Sequence, residues 1–538
     1  MILLGKDRTV LLLSSIGALT GLVLLLLSWW ESYPLSMDSP LDFVFNHISL
    51  LYWISLPILY VSLYALATRT ARNWLRVAVI FSIVMTMYSL KFFYYRIPGS
   101  DSQYTRGMTE YFAETGDLDP SRQGHFYFQW PLLFVLEEMV HLVIGLDFLY
   151  VEFILFTAVT FLYVATLYLY SSKLDSNKAY LAVIAFFVLL PYVFEFQLVP
   201  VFVSIGIFLL AFMLQTSFPT REVPVATLII FLSIALMHAF VVMFFIIYTL
   251  AMFLFKRKQM FLRLFVSELI IYLMILTFSA QPFLIQSVQS LTNFFSFEYS
   301  KIAFRTAAGG RVAPRIAIDL IAQNFSRIVT VGTALMLGAG FTLSLIKRKL
   351  RDTDKAILLS GLLYASIGTF LSILGNRSWF MIVIALSLGI MYKSRKLEKY
   401  FKSGLLIFLA LFVFIQTSSS FYDIQTMYQT KAEYQAANFL IDNVNLSSPV
   451  ALLSHFRSRT YLSAKGGSDD GAIFEHDLSE DFPININGSN YIFYTVGLGK
   501  SFLRLNLTDE TFFEATGRIN IIFNSASTYV AMRTEASS

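Results

Sequence analysis

The run Val10-Leu-Leu-Leu-Ser-Ser-Ile-Gly-Ala-Leu-Thr-Gly-Leu-Val-Leu-Leu-Leu-Leu-Ser-Trp29-Trp30-Glu31 decides the fold. It follows Lys6 and Arg8, carries no charge before Glu31, and at about 20 residues has the length a helix needs to cross the hydrocarbon core of a bilayer. No small-residue cleavage pattern closes it, so it reads as a retained signal anchor. In hydrocarbon every backbone amide has to be paired within its own segment, so a run of this kind is a helix and not a strand.

Working outward, similar runs recur at Val44–Ala67, Trp74–Tyr94, Tyr150–Tyr170, Ala179–Pro191, Leu198–Gln215, Val225–Met237, Ala239–Phe255, Leu264–Ala280, Ile328–Ile346, Ala356–Leu374, Trp379–Met391 and Gly404–Ile415. The composition agrees. Of 538 residues, 57% are hydrophobic and 14% charged, with a mean hydropathy of +0.65, which excludes an ordinary soluble domain. The net charge of +5 comes from Lys and Arg placed between the apolar runs, a pattern that orients a chain in a membrane and gives no footprint for nucleic acid. The absence of cysteine excludes disulfides, thiolate metal sites and thiol nucleophiles.

Orientation follows from the loops. Lys6/Arg8, Arg69/Arg72, Lys173/Lys178, Arg221, Lys256-Arg257-Lys258, Lys347–Arg351 and Lys393–Lys402 fall in alternate short connections, which predicts a multi-pass cell-membrane protein with a cytoplasmic N-terminus. The same alternation places Pro131–Leu146 outside, as an interfacial or re-entrant helix whose Glu137, Glu138 and His141 face water or protein. External loops then cover 96–149 and 281–327. The few charges within runs, Arg76, Lys91 and Glu268, are read as lying near segment ends, and the 53 Phe and 29 Tyr mostly as lipid-facing packing and interfacial belt.

The expected fold class is therefore an all-α polytopic membrane domain over 1–417, with about 13 transmembrane helices, followed by a small extracytoplasmic α/β domain over 418–538. In that tail, Thr430–Asn443 has helical periodicity, and Val450–Leu453, Tyr491–Thr495 and Ile519–Phe523 read as strands. Five glycosylation triplets, at Asn324, Asn376, Asn445, Asn487 and Asn506, fall on the side read as external.

Polar features concentrate just after the third run, in Arg96-Ile-Pro-Gly-Ser-Asp101-Ser-Gln-Tyr-Thr-Arg106-Gly-Met-Thr-Glu110-Tyr-Phe-Ala-Glu-Thr-Gly116. Pro98-Gly99 breaks the helix, a new helix starts, and Gly116 ends it. Asp101 is thus held at the membrane surface, a position compatible both with capping the helix and with a chemical role. Pro191-Tyr-Val-Phe-Glu195-Phe-Gln197-Leu-Val-Pro200 is a short external turn that brings Glu195 and Gln197 near the same surface, where Glu195 is either a solvated loop residue or a second cavity carboxylate. External cations before the tail include Arg305, Arg311, Arg315 and Arg377, suited to a lipid phosphate or to native headgroups. His125 and His238 are either packed histidines or cavity polar groups, and Tyr104 is one of several external aromatics suited to stacking on a sugar. Glu138-x-x-His141 has the helical spacing of a ligand pair, which leaves a divalent metal open on weak support, since one such pair without partners is common by chance; no other cofactor is assigned.

Gly99-Ser-Asp101, Glu114-Thr-Gly116-Asp-Leu118, Tyr127-Phe-Gln-Trp-Pro131-Leu-Leu and Gly145-Leu together resemble the first external loop of the GT-C glycosyltransferases. This superfamily includes protein mannosyltransferases, lipid A aminoarabinose transferases and oligosaccharyltransferase catalytic subunits. The resemblance implies a polyprenyl- or dolichyl-phosphate-linked sugar as donor, a glycan, protein or lipid acceptor hydroxyl, and Asp101 as the general base that deprotonates it. Glu195, Gln197, His238, Tyr104 and His125 are then acceptor or cavity residues, and Arg377, Arg305, Arg311 and Arg315 hold the donor phosphate. The chain has Asp101-Ser102 where many relatives carry an acidic pair, and it lacks the Trp-Trp-Asp-Tyr-Gly signature of oligosaccharyltransferases. A lipid-linked-sugar flippase or transporter and an O-antigen polymerase or ligase type enzyme are the alternatives.

Overall fold

The computed structural model describes residues 2–34, 48–95, 100–118, 126–193, 197–217, 223–285, 350–370, 380–388, 431–443, 450–453, 473–475, 491–495, 519–525 and 528–533, and the single positions 288, 338, 342 and 465. The described chain is mostly helical. Its helices are α1 (Ile2–Ser32), α2 (Leu50–Arg69), α3 (Asn73–Met87), α4 (Ser100–Thr115), α5 (Leu132–Ile144), α6 (Phe148–Asp175), α7 (Ala179–Val193), α8 (Pro200–Ser217), α9 (Val223–Ala235), α10 (Ala239–Lys256), α11 (Gln259–Phe278), α12 (Asp352–Phe370), α13 (Phe380–Leu388) and α14 (Lys431–Asn443). The expected run Gly404–Ile415 lies outside the described residues, as do all five glycosylation triplets and all of Ile328–Ile346 but positions 338 and 342.

Among the described residues five helices, Arg8–Ser32 within α1, α2, α6, α10 and α11, are long and apolar enough to cross a membrane. Their outer faces stay apolar: Leu12, Leu19, Leu26 and Trp30 of α1, and Val266, Ile270 and Leu273 of α11, are exposed. An apolar exterior around a packed interior suits lipid as the solvent. By contrast α5, at 13 residues, reaches only about 20 Å, short of a bilayer core.

Two expectations change here. The run Trp74–Tyr94 is not one helix: α3 ends at Met87 and a 3₁₀ turn follows over Ser89–Phe93. The hydroxyls of Thr86 and Ser89 donate to the carbonyls of Ser82 and Thr86 at 2.8 Å, and such local bonds compete with the α-helical ladder. Glu268 is not near a segment end either. It is the tenth of the twenty residues of α11 and is fully buried, with Thr249 Oγ1 of α10 donating to it at 3.1 Å.

Packing explains the aromatic content differently from the lipid-facing reading. The largest fully buried side chains are Tyr and Phe, among them Tyr60, Tyr88, Tyr163, Tyr170, Phe156 and Phe186. Lipid removes most of the hydrophobic advantage of burying a side chain, so helices associate through close packing and interhelical hydrogen bonds. Tyrosine supplies both. Tyr88 donates to the Phe187 carbonyl at 2.8 Å, Tyr163 to that of Phe202 at 2.8 Å, and Tyr364 to that of Phe240 at 2.9 Å. Small residues provide the close approach at the α1–α2 contact, where a Cβ at Gly21 would lie 2.7 Å from Leu59 Cγ, and Gly17 faces Ser62.

Side-chain contacts define two polar ends of the helical bundle. At one, Arg76 donates to the carbonyl of Ser176 at 2.8 Å, Tyr168 to Asn73 Oδ1 at 3.1 Å, and Tyr170 to Asp354, which Arg351 also engages. Lys256 lies within electrostatic reach of Arg351, Asp352 and Asp354. The basic residues of the α2–α3, α6–α7, α10–α11 and α12 boundaries therefore share one end. Opposite it, α4 lies where α3 and α7 finish and α6 and α8 begin. In the tail, five strands form a sheet of order β2-β1-β3-β5-β4, with β1 (Val450–Leu453) parallel to β2 (Ile473–Glu475) and to β3 (Tyr491–Thr495). Strand β5 (Thr528–Arg533) is antiparallel to both β3 and β4 (Ile519–Ser525), and α14 packs on β4 and β5.

Candidate functional site

Helix α4 is amphipathic in an unusual sense: it has a polar inner face. Ser102, Thr105, Arg106, Thr109 and Glu110 recur at helical spacing and are all buried, while Tyr104, Met108 and Tyr111 pack against Phe128 and Phe134 on another side. The polar face turns toward Glu137 of α5 and Glu152 of α6. These side chains, with Phe148, Val151 and Leu198, line a narrow pocket with room for little more than a water molecule.

Each member has a defined partner. Arg106 makes a two-pronged bond to Glu152, Nη2 donating to Oε1 at 2.9 Å and Oε2 at 2.7 Å, and its Nη1 donates to Gln103 Oε1 at 2.7 Å. One guanidinium nitrogen thus meets both carboxylate oxygens, while the other turns to Gln103 of the same helix. Thr109 Oγ1 donates to Glu137 Oε2. Burial pushes the Glu137 carboxyl up to about 8; the Thr109 hydroxyl and the Arg106 charge oppose this, and the neighbouring Glu152 and Glu110 carboxylates add to it. Glu137 is therefore a carboxylic acid near neutral pH, beside a paired carboxylate and a guanidinium. Groups displaced this far, in a pocket, have the proton affinity that acid–base chemistry uses.

The tail reaches the same helix. Tyr434 of α14 donates its hydroxyl to both Glu110 oxygens at 3.0 Å, and its ring lies 6.2 Å from that of Tyr95. Lys465 is buried with its ammonium 2.8 Å from Glu114 Oε1, 3.4 Å from Glu110 Oε2 and 2.8 Å from Asn438 Oδ1. Burial alone would pull its ammonium down, but the Glu110 charge and the Glu114 hydrogen bond outweigh that and hold it above the usual lysine range.

Of the residues singled out from sequence, Gln197 is brought to the turn that holds Asp101, and Tyr104 lies on the aromatic side of the same helix. Asp101 lies in the first turn of α4, half-buried, where a carboxylate is favoured by the helix dipole. It does not close the helix start alone: the Ser102 amide in that turn donates to the side chain of Gln197, at 3.2 Å, from the segment before α8. Tyr104 packs on Tyr127 with ring centroids 5.6 Å apart. His238 stands at the start of α10, buried, its ring 5.6 Å from Phe240. Its turn is tied to α5, because the Leu132 amide donates to the Leu236 carbonyl at 3.0 Å. Glu195, His125, Arg305, Arg311, Arg315 and Arg377 lie outside the described residues.

For the Glu138–His141 pair, His141 Nδ1 bonds the Leu146 carbonyl at 2.6 Å and its ring stacks on Phe148. Among the described residues no group of three or more His, Asp or Glu side chains is gathered as a metal site would require. Sequence reasoning passed over Glu152, hidden in the apolar run Tyr150–Tyr170, although a lone carboxylate in such a run is itself a signal. It also left Glu110 and Glu137 without a role, although Ser102, Thr105, Arg106 and Thr109 already trace a polar stripe. No family model and no curated protein matches the chain.

Proposed function

We propose that this chain is a membrane glycosyltransferase that takes a sugar from a polyprenyl-phosphate carrier and gives it to an acceptor hydroxyl, with Asp101 as general base on the extracytoplasmic side. The observation that carries the reading is the buried polar pocket under α4. Helix α4, with a carboxylate in its first turn and Arg106 on its buried face, packs beside Glu137 and Glu152 at the end of the bundle opposite the basic boundaries. By the positive-inside rule that basic end is cytoplasmic, which puts α4, α5 and the tail outside. The apolar residues Met139, Leu142 and Val143 along the exposed side of α5 suit a helix lying in the interface, where a lipid-borne substrate arrives.

In this reading the acceptor hydroxyl loses its proton to Asp101 as it attacks the anomeric carbon, the bond from that carbon to the phosphate oxygen breaks, and the lipid phosphate leaves. An expected membrane domain of about 13 spans and a self-contained external α/β tail belong to the same proposal. The test is transfer of radiolabel from a polyprenyl-phosphate monosaccharide by purified protein. Asp101→Asn should lower the rate by roughly 10²–10⁴, and equal rates in the two proteins would refute the assignment.

Glu268 favours a second reading, as a carrier of lipid-linked sugar. An ionisable side chain buried at the middle of a spanning helix is a frequent mark of a transport path, and its Oε2 has no hydrogen-bond partner among the described residues. Movement of intact labelled lipid across vesicles without sugar release would support that reading over the first.

A further inference from the structure

The pocket under α4 is too narrow for a sugar ring as it stands, yet half of its lining belongs to one helix. Of the ten lining residues, Ser102, Thr105, Arg106, Thr109 and Glu110 come from α4, so displacing α4 is the direct way to enlarge it. What holds α4 in place differs between its two ends. Near its start the Gln197 and Arg106–Glu152 contacts bind it to the bundle. Toward its end Glu110 and Glu114 are held by the tail, through Lys465 and Tyr434. Glu110 belongs to both sets, lining the pocket and accepting the tail's two donors.

The tail also contributes charge. Glu152 is paired with Arg106, and the Lys465 ammonium is shared between Glu114 and Glu110. Removing Lys465 takes away a cation 3.4 Å from the buried Glu110 carboxylate, whose charge desolvation then disfavours more strongly. The α4 end would then move outward, toward water.

We propose that Lys465 and Tyr434 are positioning residues for the pocket: the tail latches α4 closed over it, and access to the pocket requires the tail to let go of Glu110 and Glu114. This rests on reading the pocket as the working site and adds how that site is regulated.

The chain has no cysteine, so Thr109→Cys places a single thiol in the pocket wall beside Glu110, at the end of α4 that the tail holds. Its rate of modification by a small methanethiosulfonate reagent is measured in full-length protein in lipid nanodiscs. Adding Lys465→Ala should raise that rate about tenfold, the factor that corresponds to about 1.4 kcal/mol of lost closure. Lys465→Arg, which keeps the charge, should bring it back toward the parent value. An unchanged rate in Lys465→Ala, or a raised rate that Lys465→Arg does not restore, overturns the proposal. Tyr434→Phe removes one hydroxyl only and serves if Lys465→Ala does not fold; it should also raise the rate, and an unchanged rate is equally decisive. Labelling needs no sugar transfer. A latch in a protein without transferase activity therefore refutes the functional reading alone, and an active transferase with unchanged labelling refutes the latch alone.

Discussion

Replacing Glu137 by Gln tests the proton affinity of the pocket without emptying it. The amide oxygen can still accept from Thr109, and volume is conserved, so the variant should fold. In the native protein the Glu137 carboxyl is pushed from the ordinary 4.5 up to about 8, mainly by burial. The folded state thus binds this proton more tightly than the unfolded state. Its contribution to stability is fully present below pH 4.5 and is lost as the pH rises through about 8. At about 1.4 kcal/mol per pH unit, that interval is on the order of 5 kcal/mol in all, and a step from pH 5.5 to 7.5 takes away about 2–3 kcal/mol. Glutamine cannot titrate, so the variant lacks this component, and the native-minus-variant difference in stability should fall by that amount across the same step. Unfolding followed by tryptophan fluorescence in detergent micelles at a series of pH values measures it. A difference that stays constant from pH 5 to 8 would show that Glu137 is already ionised in the folded protein, and the argument from desolvation would be wrong.

Two other perturbations probe how the site and the bundle are held. Arg106→Met strands Glu152 as a buried carboxylate and should cost about 3–5 kcal/mol, whereas the double change Arg106→Met/Glu152→Leu should recover most of it; a double variant no more stable than the single, by the same unfolding assay, would mean the ion pair is not what fastens α4 to α6. Gly21→Leu should destabilise by at least about 1–3 kcal/mol, since even its Cβ would meet Leu59 Cγ at 2.7 Å. A native unfolding midpoint in that variant would place the α1–α2 contact elsewhere.

The order of helices was legible because hydrophobic runs of spanning length are a one-dimensional signal, set by the thickness of hydrocarbon rather than by any partner. Hence α1, α2, α6, α10 and α11 lie within a few residues of runs visible in the chain. The amphipathic α14 and the short strands β1, β3 and β4 likewise coincide with local patterns at Thr430–Asn443, Val450–Leu453, Tyr491–Thr495 and Ile519–Phe523. That Asp101 would stand at a helix start was also legible locally, from the break at Pro98-Gly99.

The sequence by itself thus determined which segments are apolar enough to seek lipid, where α4 begins, and that polar residues gather along it. Tertiary structure alone decided which polar groups are partners. Arg106 meets Glu152 across 46 positions and Glu110 meets Tyr434 across 324, and no local periodicity carries information over such separations. The same holds for Glu137, whose proton affinity comes from desolvation by elements folded around it. Glu268 needed the structure for a related reason: its depth depends on where α11 starts and stops. A residue's charge is written in the chain, but its energetic meaning depends on what the fold removes from water beside it.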